Sequence, residues 1–279
     1  MPRRTGRPPH REAVARHVVV RRPGRLVVLA PVLVVTLTAC GTAASPSLST
    51  PPAGTPSSGT VLDVVVPPAT AALPLVDQSG RAVSLASLKG KTVVLVDFLT
   101  LCQEVCPLTS ANVRAVSEAV ERAGLSGEVR ILETTVDPER DTPSRLTAYR
   151  RLFGAHADWS LVTGSRGDIA ALWKSFGVGY ERSPTTTRPA ATDWLTGKPL
   201  TYDVDHQDIV IVSGPDGHER WLVDGTPRVS GPSSVPSTLQ SFLTADGRAN
   251  ESAPPDPSWT PADVEAAVAY VTGHPIAGR

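Results

Sequence analysis

Two cysteines with three residues between them, Cys102 and Cys106, follow an apolar run at residues 92–98. The run is rich in β-branched side chains, which predicts a buried strand, and Pro107 suits the first turn of a helix. Both sulfurs should therefore lie where a strand ends and a helix begins, a position that favours the thiolate over the thiol. A thiolate pair can form a disulfide, exchange with another disulfide or bind a soft metal ion.

The N-terminal segment is typical of an exported protein. Residues 1–25 contain eight arginines and one acidic residue, and the apolar segment that follows at 26–37 is about a dozen residues long, too short for a permanent transmembrane helix. This arrangement predicts a secretory signal. The sequence Leu-Thr-Ala-Cys at 37–40 resembles the bacterial lipobox, which predicts that Cys40 is lipid-modified and becomes the mature N-terminus. The alternative is an ordinary signal peptide with a chance cysteine.

The number of cysteines agrees with the lipobox interpretation. The chain has three cysteines, so if Cys40 carries lipid, a single pair remains and no odd cysteine needs a partner. We therefore expect a lipid anchor on the extracytoplasmic face of the cell membrane, where the pair can be oxidised.

The distribution of charge argues against a nucleic-acid partner. The chain has 27 basic and 27 acidic residues, and residues 1–39 hold eight of the basic ones and one of the acidic ones. The remainder therefore has 19 basic and 26 acidic residues, a net charge of −7. A basic patch of the kind that binds nucleic acid is not expected.

Composition divides the chain into four parts. Residues 1–39 are the predicted lipoprotein signal peptide, and residues 40–60, rich in Ser, Thr and Pro, predict a flexible tether. Residues 61–245 are long enough to form one domain with a full core. Residues 246–279 begin with a proline-rich stretch and end in a helical pattern, which we interpret as a peripheral tail with a short helix, either free or packed on the domain.

Strand and helix patterns alternate within the domain. The predicted elements are a hairpin at 73–85, a strand at 92–98, a helix at 107–123, a strand at 129–136, helices at 141–153 and 169–176, a hairpin at 209–223 and a last helix at 239–243. A β-α-β unit followed by a β-hairpin and a helix, with a cysteine pair after the first central strand, is the thioredoxin plan. The pattern thus predicts an α/β protein with a thioredoxin-like fold, in which helices flank a central mixed sheet.

Four segments, taken in order, resemble the Sco/SenC family of exported copper-handling proteins across about residues 70–245. The matching motifs are Cys-x-x-x-Cys-Pro at 102–107, Val-Asp-Pro-Glu-Arg-Asp-Thr-Pro at 136–143, Tyr-x-x-x-Phe-Gly at 149–154, and Val-Asp-His at 204–206 before a hairpin with Pro-Asp-Gly at 215–217. The chain departs from the family pattern in having Gln103 and Glu104 between the cysteines and a Ser/Thr/Pro-rich insert at 183–201.

The resemblance implies a metal site and a partner. The family's ligands carry over to Cys102, Cys106 and His206, and two thiolates with one imidazole favour copper over hard cations. Asp205 could hold a ring N–H of His206, or could equally cap a turn. The implied partners are the copper-bearing subunit of a cytochrome c oxidase and a thiol reductant.

Other polar residues have ordinary structural interpretations. Asp137 and Asp141 match the family motif, but Asp-Pro and Asp-Thr-Pro are also turn and N-cap sequences, which we favour. The remaining histidines lack ligand-type neighbours in the sequence, and we expect them to be solvated or, for His10 and His17, removed with the signal.

Two functions from different classes remain open. The first is a metallochaperone that passes copper to the binuclear copper centre of cytochrome c oxidase. The second is a thiol–disulfide oxidoreductase that uses Cys102 and Cys106 as a redox pair to keep cysteines of another protein reduced. A purely structural disulfide is less favoured, because so small a loop removes little chain entropy. His206 and the three-residue spacing favour copper, since thiol exchange needs no imidazole there and thioredoxin-type reductants normally space their cysteines by two residues.

Overall fold

A computed structural model describes residues 54–154, 156–185 and 191–276. The predicted signal peptide, Cys40, residues 40–53 of the tether and residues 186–190 of the insert lie outside the described residues. Described strands are β1 (Thr60–Val65), β2 (Leu75–Asp77), β3 (Ala82–Val83), β4 (Thr92–Phe98), β5 (Val129–Thr135), β6 (Trp159–Gly164), β7 (Tyr180–Ser183), β8 (Asp203–His206), β9 (Ile209–Ser213), β10 (His218–Asp224), β11 (Thr226–Pro227) and β12 (Ser258–Trp259). Described helices are α1 (Pro68–Ala71), α2 (Cys106–Arg122), α3 (Pro143–Phe153), α4 (Arg166–Ser175), α5 (Ser237–Gln240), α6 (Ala245–Asn250) and α7 (Pro261–Thr272).

The central strand is β4, which comes directly before the cysteine pair. All of its residues are buried, because elements cover both faces of the sheet at this position. The sheet has the order β1-β10-β9-β4-β5-β6-β2-β3. β4 pairs in parallel with β5 and antiparallel with β9, and β5 pairs in parallel with β6. This confirms the predicted central mixed sheet flanked by helices.

The helices α2 and α7 cover the central strands on the same face of the sheet. α7 packs against α2 and contacts β4 and β9, and its Val264, Ala267 and Val268 are buried. The order β10-β9-β4-β5, with α2 after β4 and α7 after the β9–β10 hairpin, is the thioredoxin-like plan.

The C-terminal segment corrects one expectation from the sequence. Residues 246–279 were expected to be a peripheral tail, at most packed on the outside of the domain, and 239–243 the last helix of the domain. Instead α5 is short and α7 completes the fold, since Trp259 and α7 bury their apolar side chains in the core. Because a long segment separates β10 from α7, the sequence does not indicate that α7 packs on the same core. Among the described residues, no helix combines the length and the apolar character needed to cross a bilayer.

Candidate metal centre

The cysteines lie between the end of β4 and the first residue of α2, as their sequence position predicts. Cys106 is the first residue of α2, and Cys102 lies in the loop before it. The amide of Leu99 donates to Cys106 Sγ at 3.4 Å, and the amide of Cys106 donates to Cys102 Sγ at 3.4 Å. Both cysteines are buried free thiols. The first amide of α2 is therefore directed at the Cys102 sulfur, where it stabilises negative charge, while the amide that follows β4 is directed at the Cys106 sulfur.

His206 completes a group of three ligand-type atoms. It is the last residue of β8, and its Nε2 lies 3.4 Å from Cys106 Sγ. One ligand atom from each of Cys102, Cys106 and His206 lies within 4.8 Å of the other two. The fold thus brings together residues that are about a hundred positions apart in the chain. Two sulfurs and an imidazole nitrogen fit a soft or intermediate metal ion.

Asp97, on β4, orients the His206 ring. Its Oδ2 lies 2.7 Å from His206 Nδ1, which also contacts the Gln207 carbonyl oxygen at 2.6 Å. Its Oδ1 accepts a hydrogen bond from the Ile209 amide at 2.7 Å. Because Nδ1–H donates to these oxygens, Nε2 is left to face the sulfur of Cys106.

The expectation that Asp205 holds the His206 ring is wrong. Asp205 is exposed, because neighbouring residues of a strand point to opposite sides and His206 points inward. Asp205 instead lies opposite Glu181 in the β7–β8 pair. One feature of the sequence points to Asp97. It is a charged residue inside a run that predicts a fully buried strand, where charged residues are rare.

The pKa values of Cys102, Cys106 and His206 are shifted in different directions, which favours a different protonation state for each group. The hydrogen bond from Cys106 holds the pKa of the Cys102 thiol well below its ordinary value, against the effect of burial, and the His206 ring lowers it further. Burial and the neighbouring Cys102 sulfur raise the pKa of Cys106 well above its ordinary value. Burial alone would lower the pKa of His206, but the hydrogen bond to Asp97 and the nearby Cys102 sulfur raise it well above normal. These shifts favour the thiolate at Cys102, the imidazolium at His206 and the protonated thiol at Cys106.

Asp141 supports the loop that carries Cys102. Its buried carboxyl accepts hydrogen bonds from the Thr100 amide at 3.1 Å, from the Thr100 hydroxyl, and from the Thr135 hydroxyl at 2.6 Å. Burial raises the pKa of Asp141 to about 6. The expected N-cap role belongs instead to Thr142, which accepts from the amide of Arg145.

Asp137 supports the segment that carries His206. Its carboxylate accepts a hydrogen bond from the Tyr202 hydroxyl at 2.9 Å and pairs with Arg140. The Arg140 guanidinium donates in turn to the Tyr202 carbonyl at 2.8 Å. The turn after β5 is thereby tied to the residue that immediately precedes β8.

The described part of the insert at 183–201 packs on the cysteine loop. The Trp194 indole donates to the Thr100 carbonyl at 2.7 Å. Asp193 holds Arg145 of α3 through two hydrogen bonds, at 3.0 and 2.6 Å. This pairing fixes the insert against the body of the domain.

The C-terminal segment contacts the same loop from another side. The Gln103 side chain donates to the Phe242 carbonyl at 3.3 Å, and the Thr244 amide donates to the Gln103 carbonyl at 3.0 Å. A Cβ added at Gly247 would lie 2.4 Å from the Gln103 carbonyl oxygen. Gly247 is therefore required for this close approach of α6 to the loop.

The other histidines of the described residues lie outside the metal centre. His156, His218 and His274 pair with Glu121, Asp63 and Glu128, respectively, at distances between 2.6 and 3.8 Å. His10 and His17 lie outside the described residues.

Residues 68–230 match the SCO1/SenC family. The chain belongs to this family. The match includes β4, both cysteines and His206, and ends before α5, so the segment that contacts Gln103 and the closing helix α7 lie beyond it.

Curated relatives match about half of the chain. The SCO1 protein homolog of Bacillus subtilis is 32% identical over 145 residues, which are 50% of this chain and 66% of that protein. The mitochondrial SCO2 homolog of Bos taurus is 30% identical over 143 residues, which are 51% of this chain and 49% of that protein. The matched regions thus cover less than two thirds of each relative.

Among solved structures, the chain is similar to Bradyrhizobium japonicum ScoI with copper bound. The two are 27% identical, with a TM-score of 0.45, and the match covers 61% of this chain and 97% of that one.

Proposed function

We propose that this chain is a Sco/SenC-type metallochaperone that binds copper and delivers it for assembly of the binuclear copper centre of a cytochrome c oxidase. The observation that carries the proposal is the convergence of Cys102, Cys106 and His206, with their ligand atoms within 4.8 Å of one another. Sulfur and imidazole ligands favour copper over hard cations such as magnesium or calcium. Membership of the family supports the same assignment.

The protonation states of the ligands give the site a way to bind and release its cargo. Cys102 is the ready ligand, because its pKa is lowered by Cys106 and His206. Cys106 must lose a proton to bind, and the His206 imidazolium must lose the proton on Nε2, so metal binding releases protons. Asp97 keeps Nδ1 protonated and leaves Nε2 as the ligand atom. Protonation of these two groups in turn favours release of the metal.

The location and partners form part of the proposal. The chain is anchored through lipid on Cys40 to the extracytoplasmic face of the cell membrane, and a thiol reductant keeps Cys102 and Cys106 reduced. Mass spectrometry of the mature N-terminus tests the anchor, since an unmodified Cys40 or a different N-terminus contradicts it. The copper-bearing oxidase subunit is the recipient.

The substitution His206→Ala tests the function. It should weaken copper binding while leaving disulfide exchange largely intact, because exchange depends on thiolate attack and needs no imidazole ligand. In cells at limiting copper, the variant should lower oxidase activity, and added copper should partly restore it. Full oxidase assembly with this variant at limiting copper would contradict the metallochaperone function.

The second candidate function is a thiol–disulfide oxidoreductase. It is favoured by one observation, the lowered pKa of Cys102 beside a second free thiol, which is the chemistry of a nucleophilic cysteine. Oxidase assembly that requires both cysteines but not His206 would establish this alternative.

A further inference from the structure

A tight turn between β4 and α2 links the two sulfurs of the metal centre. It runs from Leu99 to Cys102 and is closed by the Cys102 amide, which donates to the Leu99 carbonyl at 3.3 Å, as in a β-turn. Its first residue contacts one sulfur, because the Leu99 amide donates to Cys106 Sγ, and its last residue carries the other. The shape of this turn therefore affects where the two sulfurs lie relative to each other.

The main chain of Thr100, the second residue of the turn, is bonded on both sides. The Thr100 amide donates to Asp141, and the Thr100 carbonyl accepts a hydrogen bond from the Trp194 indole at 2.7 Å. Thr100 is buried, so its carbonyl needs a partner within the protein. This carbonyl belongs to the central peptide group, whose orientation distinguishes the common types of β-turn. The bond from Trp194 therefore constrains the conformation of the turn.

The indole of Trp194 is presented to the turn from a fixed position. Its ring lies edge-on to Tyr149, with the ring centroids 5.8 Å apart. The preceding residue, Asp193, is buried and accepts two hydrogen bonds from Arg145 of α3. Asp193 also accepts a hydrogen bond from the Leu195 amide at 2.8 Å. The residues on both sides of Trp194 are thus tied to one carboxylate, which is itself tied to the body of the domain.

We propose that Trp194 is a positioning residue for the cysteine pair, and that it acts through the Thr100 carbonyl to hold the turn in the form that brings Cys102 and Cys106 together. This inference rests on the proposed function and deepens it, because it gives the Ser/Thr/Pro-rich insert a role in the geometry of the metal site. An indole that only stabilised the fold would affect the whole domain equally. A positioning residue affects the turn and the metal geometry selectively.

Amide hydrogen exchange in the reduced, metal-free protein tests the inference without copper. Trp194→Phe removes the indole donor and keeps an aromatic ring next to Tyr149. The Cys102 amide, which closes the turn, should then exchange about 3–10-fold faster relative to the amides of β4, the effect expected for the loss of one hydrogen bond. Because the buried β4 amides report unfolding of the whole domain, this ratio isolates the opening of the turn.

Trp221→Phe is the matched control for Trp194→Phe. It also removes an indole bond to a main-chain carbonyl, from Trp221 to Ser58 at 2.8 Å. Trp221 lies on β10, which is separated from β4 by β9. The control should lower the stability of the domain without a selective rise in the exchange rate of the Cys102 amide.

The copper-loaded protein supplies a second measurement. With Cu(II), the thiolate-to-copper charge-transfer band depends on how the sulfurs face the ion, so Trp194→Phe should shift the band and Trp221→Phe should not. Arg145→Lys is a second variant, which keeps the charge but loses the two-point contact with Asp193. It should change both measurements in the same direction as Trp194→Phe, by a smaller amount.

Absence of a selective rise in Cys102 exchange in Trp194→Phe, or in Arg145→Lys if the first variant does not fold, overturns the inference. A Cu(II) band that is the same in Trp194→Phe as in Trp221→Phe also overturns it. A selective rise in exchange supports the positioning role even if the wild-type protein binds no copper, a result that would contradict the proposed function alone.

Discussion

At the residue scale, the orientation of His206 depends on Asp97, a buried carboxylate whose contact with His206 the sequence does not indicate. The cysteine pair could be predicted from its position after a buried strand, and His206 from a short motif. Asp97 could not, because its contact with His206 joins residues 109 positions apart and forms only when β8 folds over the end of β4. Asp205, the acidic neighbour in the sequence, faces the opposite side of the strand.

The substitution Asp97→Asn tests this assignment. Asparagine retains an oxygen that can accept from the Ile209 amide, but it removes the negative charge beside Nδ1 of His206. Copper affinity should fall by roughly 10–100-fold, the usual effect of losing a residue that orients a metal ligand. The pKa of His206 should also fall, and NMR titration of the ring can measure it.

Asp205→Asn is the matched control for Asp97→Asn. It removes an exposed carboxylate on the opposite side of β8, so copper affinity should change by less than about threefold, as expected for a solvent-screened charge. A larger loss of affinity with Asp205→Asn than with Asp97→Asn would contradict the assignment of Asp97.

At the scale of elements, the loop around the cysteines is held by segments from three parts of the chain. Asp141 binds it from the turn before α3, Trp194 from the insert, and residues 242–247 from the C-terminal segment. The boundaries of β4, α2 and α3 could be predicted within one or two residues, because they follow local hydrophobic pattern and capping. The contacts of the insert and the C-terminal segment could not, since nothing local to those segments indicates what they pack against.

Gly247→Ala tests the support that α6 gives to the cysteine loop. In a free helix this substitution would stabilise by about 1 kcal/mol, but here the added Cβ would lie 2.4 Å from the Gln103 carbonyl oxygen. We expect the free energy of unfolding to fall by about 1–3 kcal/mol through overpacking, with weaker copper binding as Gln103 and Glu104 are displaced. Urea unfolding and a competitive copper titration measure the two effects.

Gly127→Ala serves as the control for Gly247→Ala. A Cβ at Gly127 meets no atom within 4 Å, so this variant should keep wild-type stability and copper affinity. Wild-type behaviour of Gly247→Ala in both measurements would mean that α6 does not constrain the loop.

At the scale of the whole molecule, the thioredoxin-like plan is completed by a helix that the sequence places in a tail. The core β-α-β unit and the β9–β10 hairpin could be predicted from alternating patterns. The role of α7 could not, because more than thirty residues separate it from β10 and its burial depends on contacts with α2, β4 and β9. The core also contains Glu133, whose carboxyl contacts Ser110 of α2 and the Trp159 indole of β6.

Glu133 makes the stability of the domain depend on pH. Burial raises the pKa of its carboxyl to about 8 from an ordinary value of 4.5. The folded state therefore binds a proton that the unfolded state loses above pH 4.5, so stability decreases as pH rises through this interval and levels off above about 8. The total loss from this group is on the order of 5 kcal/mol.

Glu133→Gln should remove this dependence, because glutamine is neutral throughout and keeps a similar shape and hydrogen-bonding capacity. Urea unfolding of both proteins across the interval gives the comparison, since other groups titrate equally in each. A wild-type stability that rises with pH relative to the variant would show that Glu133 is ionised in the folded protein.

Anaerobic titration of the reduced protein with copper is the most direct test of the central claim that Cys102, Cys106 and His206 form one metal site. We predict binding of one copper per chain and, with Cu(II), a thiolate-to-copper charge-transfer band. The Cys102→Ser/Cys106→Ser protein should lose both the band and the tight binding, and His206→Ala should bind more weakly with an altered band. Copper binding of unchanged stoichiometry and affinity in the double cysteine variant would contradict the account, because the site would then lie elsewhere.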